Sequence, residues 1–147
     1  IGAERLIFID KLPKEEHLSR LKLADLVLDT RIYNGHTTTS DALWVEVPVI
    51  TLRGRHFASR VSASILKAIG MEELITENLE DYRDLAVDLA KNPLKLKTIR
   101  ETISRNRLTT PLFDTPGLVN SLEQAYKLMW ADHLSGNKPA PITLTDD

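Results

Sequence analysis

The residues with the clearest potential for chemistry form one short run, Gly35-His36-Thr37-Thr38, in a polar loop that leads into a predicted helix. Gly35 has no Cβ atom and lets an anion approach the backbone closely, and the first amide groups of a helix are free to donate to that anion. The hydroxyls of Thr37 and Thr38 and the ring of His36 add further donors. This pattern is typical of a site for a phosphate or a diphosphate.

Asp41 follows Thr37 by four residues and therefore falls one turn along the same helix face. A carboxylate there would repel a phosphate, so we expect it to accept hydrogen bonds from a neutral partner such as a pair of ribose hydroxyls. A purely structural interpretation is equally open. In that interpretation Thr38 or Thr39 caps the helix, Asp41 offsets the helix dipole, and the ring of His36 is exposed in a loop.

A second group of polar side chains, Lys14, His17 and Arg20, is predicted to share one face of the first helix. At the carboxyl end of a strand such a stripe could hold an aromatic base and its sugar; the alternative is a solvated helix face. A metal site made from His17, His36 and Asp41 is a further alternative, although the spacing fits no common ligand pattern.

These groups need a βαβ unit to position them, and the stretch Ala24–Thr51 has that pattern. An apolar run at Leu26–Leu28 precedes the glycine-bearing loop and the helix, and a second run at Val49-Ile50 follows them. Such units place strands in parallel, with helices against the sheet and ligands beyond the carboxyl ends of the strands. We therefore predict an α/β fold with a parallel Rossmann-like sheet and flanking helices.

Two further strands are predicted, at Leu6–Ile9 and at Leu74–Thr76, and the first is apolar enough to be buried on both faces. With the runs at Leu26–Leu28 and Val49-Ile50, this makes four predicted strands. In a nucleotide-binding sheet of order 3-2-1-4-5-6, these four would be the last four in the chain, and the two missing strands would lie between the first and the second of them. The sequence thus predicts a gap in the sheet and an incomplete domain.

The remaining pattern is helical. Helices are predicted over Phe57–Ile69, over Asn78–Lys91, from Leu94 onwards and over Leu118–Leu134, with a loop at Leu108–Gly117. The last helix is expected to bury a stripe that consists of Leu122, Tyr126, Met129 and Trp130. We assign residues 1–135 to the domain and residues 136–147, which have no apolar periodicity, to a surface or flexible tail.

The composition excludes several classes of protein. The chain has 147 residues, of which 42% are apolar, and this matches one domain with a substantial core. Its net charge of −2 gives no indication of nucleic-acid or membrane-surface binding. There is no cysteine, no signal-peptide pattern at the start, and no apolar run near the roughly 18 residues that span a bilayer. We expect a cytoplasmic protein and, because the chain opens without methionine, part of a longer one.

The order of several short motifs resembles one enzyme family. The motifs are Pro13–His17, Leu23–Asp25, Asn34–Thr38, Ala42–Trp44, Pro48–Thr51, Ala58–Val61, Pro111–Phe113, Met129-Trp130 and Gly136–Pro139. Together they resemble the carboxyl-terminal part of the catalytic region of protein O-linked N-acetylglucosamine transferases, which are TPR-linked glycosyltransferases of the GT-B type. The resemblance covers nearly the whole chain and implies the carboxyl-terminal, donor-binding domain of such an enzyme.

The resemblance also implies a donor site for UDP-N-acetylglucosamine, with UDP as the product. Leu12 matches a position whose backbone contacts the base, His17 one that packs on the base, and Arg20 one near the edge of the base. Lys14 and Asp41 match positions that hold the ribose.

The resemblance assigns His36, Thr37 and Thr38 to the diphosphate cradle. Gly35 is added because its lack of a Cβ atom lets an anion approach the backbone. There is no Asp-x-Asp metal motif, so we expect a metal-independent enzyme without a cofactor, in which amide dipoles, hydroxyls and cationic groups stabilise the departing diphosphate. No catalytic residue is assigned, because the catalytic half-domain and the TPR repeats that bind the protein acceptor are expected upstream of Ile1.

The sequence departs from the family pattern at two places. Glu46 stands in Trp44–Pro48 where a glycine is usual, and Arg55-His56 replaces a frequent acidic residue and threonine. Two alternatives to the UDP-N-acetylglucosamine enzyme therefore stay open. One is a GDP-fucose-dependent enzyme of the related SPINDLY type, whose pattern has threonine in place of His36. The other is a non-catalytic Rossmann-like module for interaction or regulation. The sequence predicts no oligomeric state.

Overall fold

A short parallel sheet forms the centre of the chain in the computed structural model, which describes residues 2–144. The strands are β1 (Val27–Leu28), β2 (Val49–Leu52) and β3 (Ile75–Thr76), in the order β1-β2-β3. Val27 pairs with Val49, and Thr51 pairs with Ile75, both in parallel register. The predicted α/β fold with a parallel sheet is confirmed. Ile1 and residues 145–147 of the predicted tail lie outside the described residues.

Helices connect and follow the strands. They are α1 (Lys14–Leu21), α2 (Thr37–Trp44), α3 (Val61–Ala68), α4 (Leu79–Lys91), α5 (Pro93–Asn106) and α6 (Thr115–Leu134). Asparagine or aspartate side chains accept backbone hydrogen bonds at the starts of α4, α5 and α6, as N-cap residues do. The loop predicted at Leu108–Gly117 contains a short 3-10 turn and the first residues of α6.

The core lies around β2. Val49 and Ile50 are completely buried, and α2, α3 and α4 all pack against this strand. Leu66 of α3, Leu89 of α4 and Ile103 of α5 complete the same cluster and are also completely buried. Since one central strand is covered by several helices, the carboxyl ends of the strands and the loops that follow them are left at one edge of the sheet.

The helix predicted from Phe57 begins only at Val61. Residues Phe57–Ser59 form a 3-10 turn instead, and the side chain of Phe57 is 79% exposed. The amide of Gly54 donates to the carbonyl of Ser59 at 2.8 Å, which closes this loop before the helix starts. The prediction was correct for Ile69, which is buried, and wrong for Phe57.

The prediction of a buried strand at Leu6–Ile9 is wrong. These residues have no regular secondary structure, and their side chains are 55 to 93% exposed. A strand needs a neighbour on at least one edge, and no strand within residues 2–144 pairs with this segment. The exposed segment agrees with the gap that the sequence predicted in the sheet.

The last helix is confirmed, but its predicted buried stripe is wrong. Leu122, Tyr126, Met129 and Trp130 are 45 to 62% exposed. Within α6 only Gly117 and Ala125 are partly covered, because the helix extends away from the core. The periodicity identified residues that share a helix face, but it could not identify a surface to cover them. None of the described helices is both long and apolar enough to cross a membrane.

Candidate functional site

The loop from β1 to α2 carries the predicted anion site. His36 is the residue that precedes α2, and its side chain does not cap the helix. Thr37 and Thr38 are exposed in the first turn, whereas Thr39 is buried and shares a hydrogen bond of 2.8 Å with the hydroxyl of Ser62. The alternative in which Thr38 or Thr39 caps the helix is therefore wrong. The amide groups at the start of the helix and the hydroxyls of Thr37 and Thr38 lie at the positive end of the helix dipole.

Asp29, at the end of β1, holds this loop in place. Its Oδ1 atom accepts hydrogen bonds from the amides of Gly35 at 2.7 Å and Thr30 at 2.9 Å. Its Oδ2 atom accepts from the hydroxyl of Thr51, on β2, at 2.6 Å. The amide of Gly35 is thus used within the protein, and a ligand at α2 would have to take its hydrogen bonds from the residues that follow.

Asp29 was not predicted as a site residue, although the sequence contains a signal for it. An acidic residue directly after a buried strand, and six residues before a glycine, is well placed to accept from the loop between them. A carboxylate that receives several backbone hydrogen bonds is best explained as a support for the loop. Asp29 therefore positions the site residues.

Gly35 is required by close contacts on two sides. A Cβ atom at this position would lie 2.5 Å from the hydroxyl oxygen of Thr39 and 2.6 Å from that of Thr38. Its carbonyl accepts a hydrogen bond from the hydroxyl of Ser62 at 2.9 Å. Both threonine hydroxyls therefore lie over the glycine, at the place where the sequence predicted close approach of a ligand to the backbone.

The ring of His36 lies between two other aromatic side chains. It stacks on Tyr33 with the ring centres 5.2 Å apart, and it meets the edge of Phe57 at 5.9 Å. Its Nε2 atom is buried and has no hydrogen-bond partner within residues 2–144. The alternative of an exposed loop histidine is wrong, and a buried ring nitrogen without a partner is unusual enough to indicate a position that a ligand atom can satisfy.

The predicted base-binding residues line one groove. The groove has a volume of about 610 Å³ and runs along α1 and the segment before it. Leu12, Lys14, His17 and Arg20 all contribute to its walls, and Arg20 donates a hydrogen bond to the carbonyl of Asp10 at 3.1 Å. The prediction that Lys14, His17 and Arg20 share one face of the helix is confirmed, and this face borders the groove.

An ion pair connects this groove to the anion site. Lys14, on α1, contacts the carboxylate of Asp41, on α2, through its Nζ atom. The Asp41 side chain is only 16% exposed, whereas the Lys14 side chain is 57% exposed. Asp41 shares its helix with Thr37 and Thr38, and the predicted residues therefore form two connected groups. The proposed metal site is not supported, because no group of three metal-binding side chains comes together in the part of the chain that the structure describes.

Tyr82 makes a further hydrogen bond that holds Asp29 in place. Its hydroxyl donates a hydrogen bond to the carbonyl of Asp29 at 2.9 Å. Burial raises the pKa of Tyr82 above its ordinary value of 10.0, and the negative charge of Asp29 raises this pKa further. The phenol is consequently protonated at neutral pH and acts as a donor to the backbone of the loop.

Comparisons with known proteins identify the family. The profile described as Glycosyl transferase family 41 matches residues 1–122. The chain belongs to glycosyl transferase family 41. The resemblance seen in the motifs is therefore confirmed, and the predicted anion site and the groove lie in a chain whose relatives are glycosyltransferases.

Individual members of the family match over most of this chain. The probable UDP-N-acetylglucosamine–peptide N-acetylglucosaminyltransferase SEC of Arabidopsis thaliana is 44% identical over 95% of the chain, and the corresponding Caenorhabditis elegans enzyme is 34% identical over 96%. A mutant O-GlcNAc transferase of Thermobaculum terrenum, a solved structure, matches with a TM-score of 0.84 and 35% identity over 90% of this chain and 25% of that one. The chain spans only 13 to 14% of the length of the two relatives compared by sequence.

The departure from the family pattern at Glu46 has a structural explanation. Glu46 has a φ of +67°, in the left-handed region where glycine is unstrained and other residues are not. Its carboxylate accepts a hydrogen bond from the hydroxyl of Ser104 at 3.0 Å and lies 3.1 Å from a guanidinium nitrogen of Arg107. Arg107 also donates to the carbonyl of Trp44 at 2.6 Å. The glutamate thus ties the end of α2 to α5 despite its backbone conformation.

Proposed function

We propose that this chain is the nucleotide-sugar-binding part of an inverting protein O-glycosyltransferase that transfers N-acetylglucosamine from UDP-N-acetylglucosamine to Ser or Thr hydroxyls. The observation that carries the proposal is the contact between Lys14 and Asp41. It joins a groove that suits a base to a helix start that suits a diphosphate. A nucleoside diphosphate needs the two in this order, with a group for the ribose between them.

The ribose position follows from the chemistry of the pair. Asp41 is a hydrogen-bond acceptor only, and its Oδ2 atom is in contact with Lys14. A ribose offers two neighbouring hydroxyls that can donate to the carboxylate, while Lys14 can donate to a ribose oxygen. His17 lies in the same groove and offers a flat ring on which a base can stack.

The diphosphate would lie at the start of α2. The helix dipole presents positive charge there. The hydroxyls of Thr37 and Thr38 can donate hydrogen bonds, and so can the Nε2 atom of His36 in the tautomer that carries its proton on Nε2. These groups gain most when negative charge develops on the departing diphosphate, since a donor fixed in advance does not have to reorganise. The residues that activate the acceptor hydroxyl, and the TPR repeats, are expected in the rest of the enzyme.

The choice of UDP-N-acetylglucosamine is supported by the relatives. The SEC relative, which is described as a probable UDP-N-acetylglucosamine–peptide N-acetylglucosaminyltransferase, is 44% identical to this chain. His36 also favours this donor over GDP-fucose, for which threonine would be expected. The non-catalytic alternative is disfavoured because Lys14, His17, His36 and Asp41 are all retained, and a module without a ligand would not need them together.

A calorimetric competition between UDP and GDP tests which nucleotide the donor contains. The chain is titrated with UDP and with GDP, and each nucleotide is then used to displace the other. We expect UDP to bind more tightly and to displace GDP. Tighter binding of GDP would replace the proposal by the GDP-fucose alternative, and binding of neither nucleotide by the folded chain would favour the non-catalytic module.

A further inference from the structure

A second concave surface lies at the carboxyl ends of the strands, and its charge differs from that of the chain as a whole. This basic cleft has a volume of about 380 Å³ and is lined by residues 31–32 after β1, 52–56 at the end of β2, and 77–79 after β3. It contains three arginines and one histidine against a single glutamate. The whole chain carries a net charge of −2, whereas the lining of the cleft is net positive.

Two of the arginines are available to a partner. Arg53 is already neutralised, because its guanidinium contacts the carboxylate of Glu77 at 2.8 and 3.2 Å. Arg31 and Arg55, by contrast, are exposed and make no ion pair or side-chain hydrogen bond with any residue from 2 to 144. Within residues 2–144, the cleft therefore presents two guanidinium groups that have no ion-pair partner.

The loops that carry these arginines are held together by backbone hydrogen bonds. The amide of Asn34 donates to the carbonyl of Ala58 at 2.8 Å, and the side chain of Asn34 donates to the carbonyl of Thr30 at 2.9 Å. Asn34 is almost completely buried. The loop after β1 and the loop after β2 are thus joined by a hydrogen bond, which brings the backbones that carry Arg31 and Arg55 to the same cleft.

The cleft adjoins the predicted diphosphate position. Arg31 belongs to the same loop as Gly35 and His36, and Phe57, which meets the ring of His36, directly follows the cleft residue His56. Exposed apolar side chains, Ile32 and Leu79, border the cationic groups. This combination suits an extended peptide better than a small inorganic anion, since a peptide can offer carboxylates and apolar groups together.

We propose that the basic cleft binds an acidic segment of the protein acceptor, next to the hydroxyl that receives the sugar. Arg31 and Arg55 would contact aspartate or glutamate carboxylates, for which the planar guanidinium is well suited. The pair Arg55-His56 stands where an acidic residue and threonine are frequent in the family resemblance, so this preference would distinguish the chain from such relatives. The inference rests on the proposed function, because it assumes a protein acceptor.

Binding of two labelled peptides tests the inference. One peptide has three glutamates on each side of a serine, and the matched peptide has lysines in the same places. We expect the chain to bind the acidic peptide in a fluorescence anisotropy titration, to bind it more weakly as salt is raised, and not to bind the basic peptide in the same range.

Charge-neutralising variants locate the contact. The double variant Arg31→Gln and Arg55→Gln should bind the acidic peptide about three- to tenfold more weakly, as expected for two partly exposed ion pairs. The control variant, Lys97→Gln with Arg105→Gln, makes the same change in net charge on α5 and should bind like the parent. Equal weakening in both double variants, or none in the first, would overturn the inference.

Nucleotide binding separates this inference from the proposed function. The Arg31→Gln, Arg55→Gln variant should bind UDP as the parent does, and UDP should not displace the peptide. Displacement by UDP would mean that the peptide occupies the nucleotide site and would overturn the inference alone. Failure of the parent to bind UDP, with the peptide result as expected, would overturn the proposed function and leave a cleft for acidic peptides.

Discussion

Asp29 accepts a hydrogen bond from the amide of Gly35 at 2.7 Å, and this bond holds the loop that leads into α2. The same carboxylate accepts from the hydroxyl of Thr51 on the neighbouring strand at 2.6 Å. One side chain therefore connects β1, β2 and the start of the proposed diphosphate cradle. The position of the cradle depends on a group that does not itself need to touch the ligand.

Replacement of Asp29 by alanine should destabilise the protein. It leaves the Gly35 amide and the Thr51 hydroxyl without their acceptor, and each group left unpaired in a partly buried place costs roughly 1 to 3 kcal/mol. Since two groups lose their acceptor, we expect urea unfolding to report a loss of roughly 2 to 6 kcal/mol. Asp25→Ala removes an exposed aspartate just before β1 and serves as the control. Equal losses in the two variants would show that Asp29 does not hold the loop.

Replacement of Asp41 by alanine should weaken the binding of UDP. Loss of a shielded acceptor for ribose hydroxyls costs roughly 1 to 3 kcal/mol, which corresponds to about 5- to 150-fold in the dissociation constant. Calorimetry with UDP and 2′-deoxy-UDP makes the test specific. The parent should prefer UDP, and Asp41→Ala should discriminate much less between the two nucleotides. A variant that discriminates as well as the parent would rule out the ribose role.

Tyr82 should make the stability of the protein fall at alkaline pH. The pKa of its phenol is raised in the folded state by burial and by the charge of Asp29, whereas in the unfolded state it titrates near its ordinary value of 10.0. Below pH 10 both states hold the proton and the full stability is present. As the pH rises above this value the unfolded state loses the proton first, so the free energy of unfolding decreases.

A pair of tyrosine variants isolates this alkaline effect. Tyr82→Phe should lose part of the stability at neutral pH, because the hydrogen bond to the Asp29 carbonyl is gone, and should show a smaller further decrease above pH 10. Tyr126→Phe, at an exposed site on α6, should keep the alkaline decrease of the parent. Unfolding curves collected across the alkaline range measure both, and the same alkaline slope in Tyr82→Phe and the parent would refute the assignment.

Glu46 combines an unfavourable backbone conformation with favourable side-chain contacts. Glu46→Ala removes the contacts with Ser104 and Arg107 but keeps the φ of +67°, whereas Glu46→Gly removes the contacts and relieves the strain. We expect both variants to be less stable than the parent, and the alanine variant to be the less stable of the two by about 1 kcal/mol. Thermal or urea unfolding measures this difference. An alanine variant as stable as the glycine variant would show that a residue other than glycine is not strained at this position.

The part of the fold that follows local pattern could be predicted from sequence. The apolar runs at Leu26–Leu28 and Val49-Ile50, with a glycine-bearing loop and a helix between them, gave the correct parallel pairing. Lys14, His17 and Arg20 were placed correctly on one face, because helical spacing alone decides that. Their role in binding stays a prediction.

The errors arise where burial depends on a distant surface. Leu6–Ile9 and the stripe at Leu122 and Trp130 are apolar, and apolarity predicts that a segment would gain from being covered, but not that anything covers it. Asp29 was missed for a related reason. Its partners Gly35 and Thr51 are six and 22 residues away, and only the fold brings them to the same carboxylate.

The central claim is that one UDP molecule spans the groove on α1 and the start of α2, and a titration followed by amide NMR tests it most directly. The proposal predicts that the amide resonances of Gly35 to Thr38 shift together with those of Lys14 and His17, and that all of them saturate at the same UDP concentration. No UDP-dependent shift in the segment from Gly35 to Thr38 of the folded protein would contradict it.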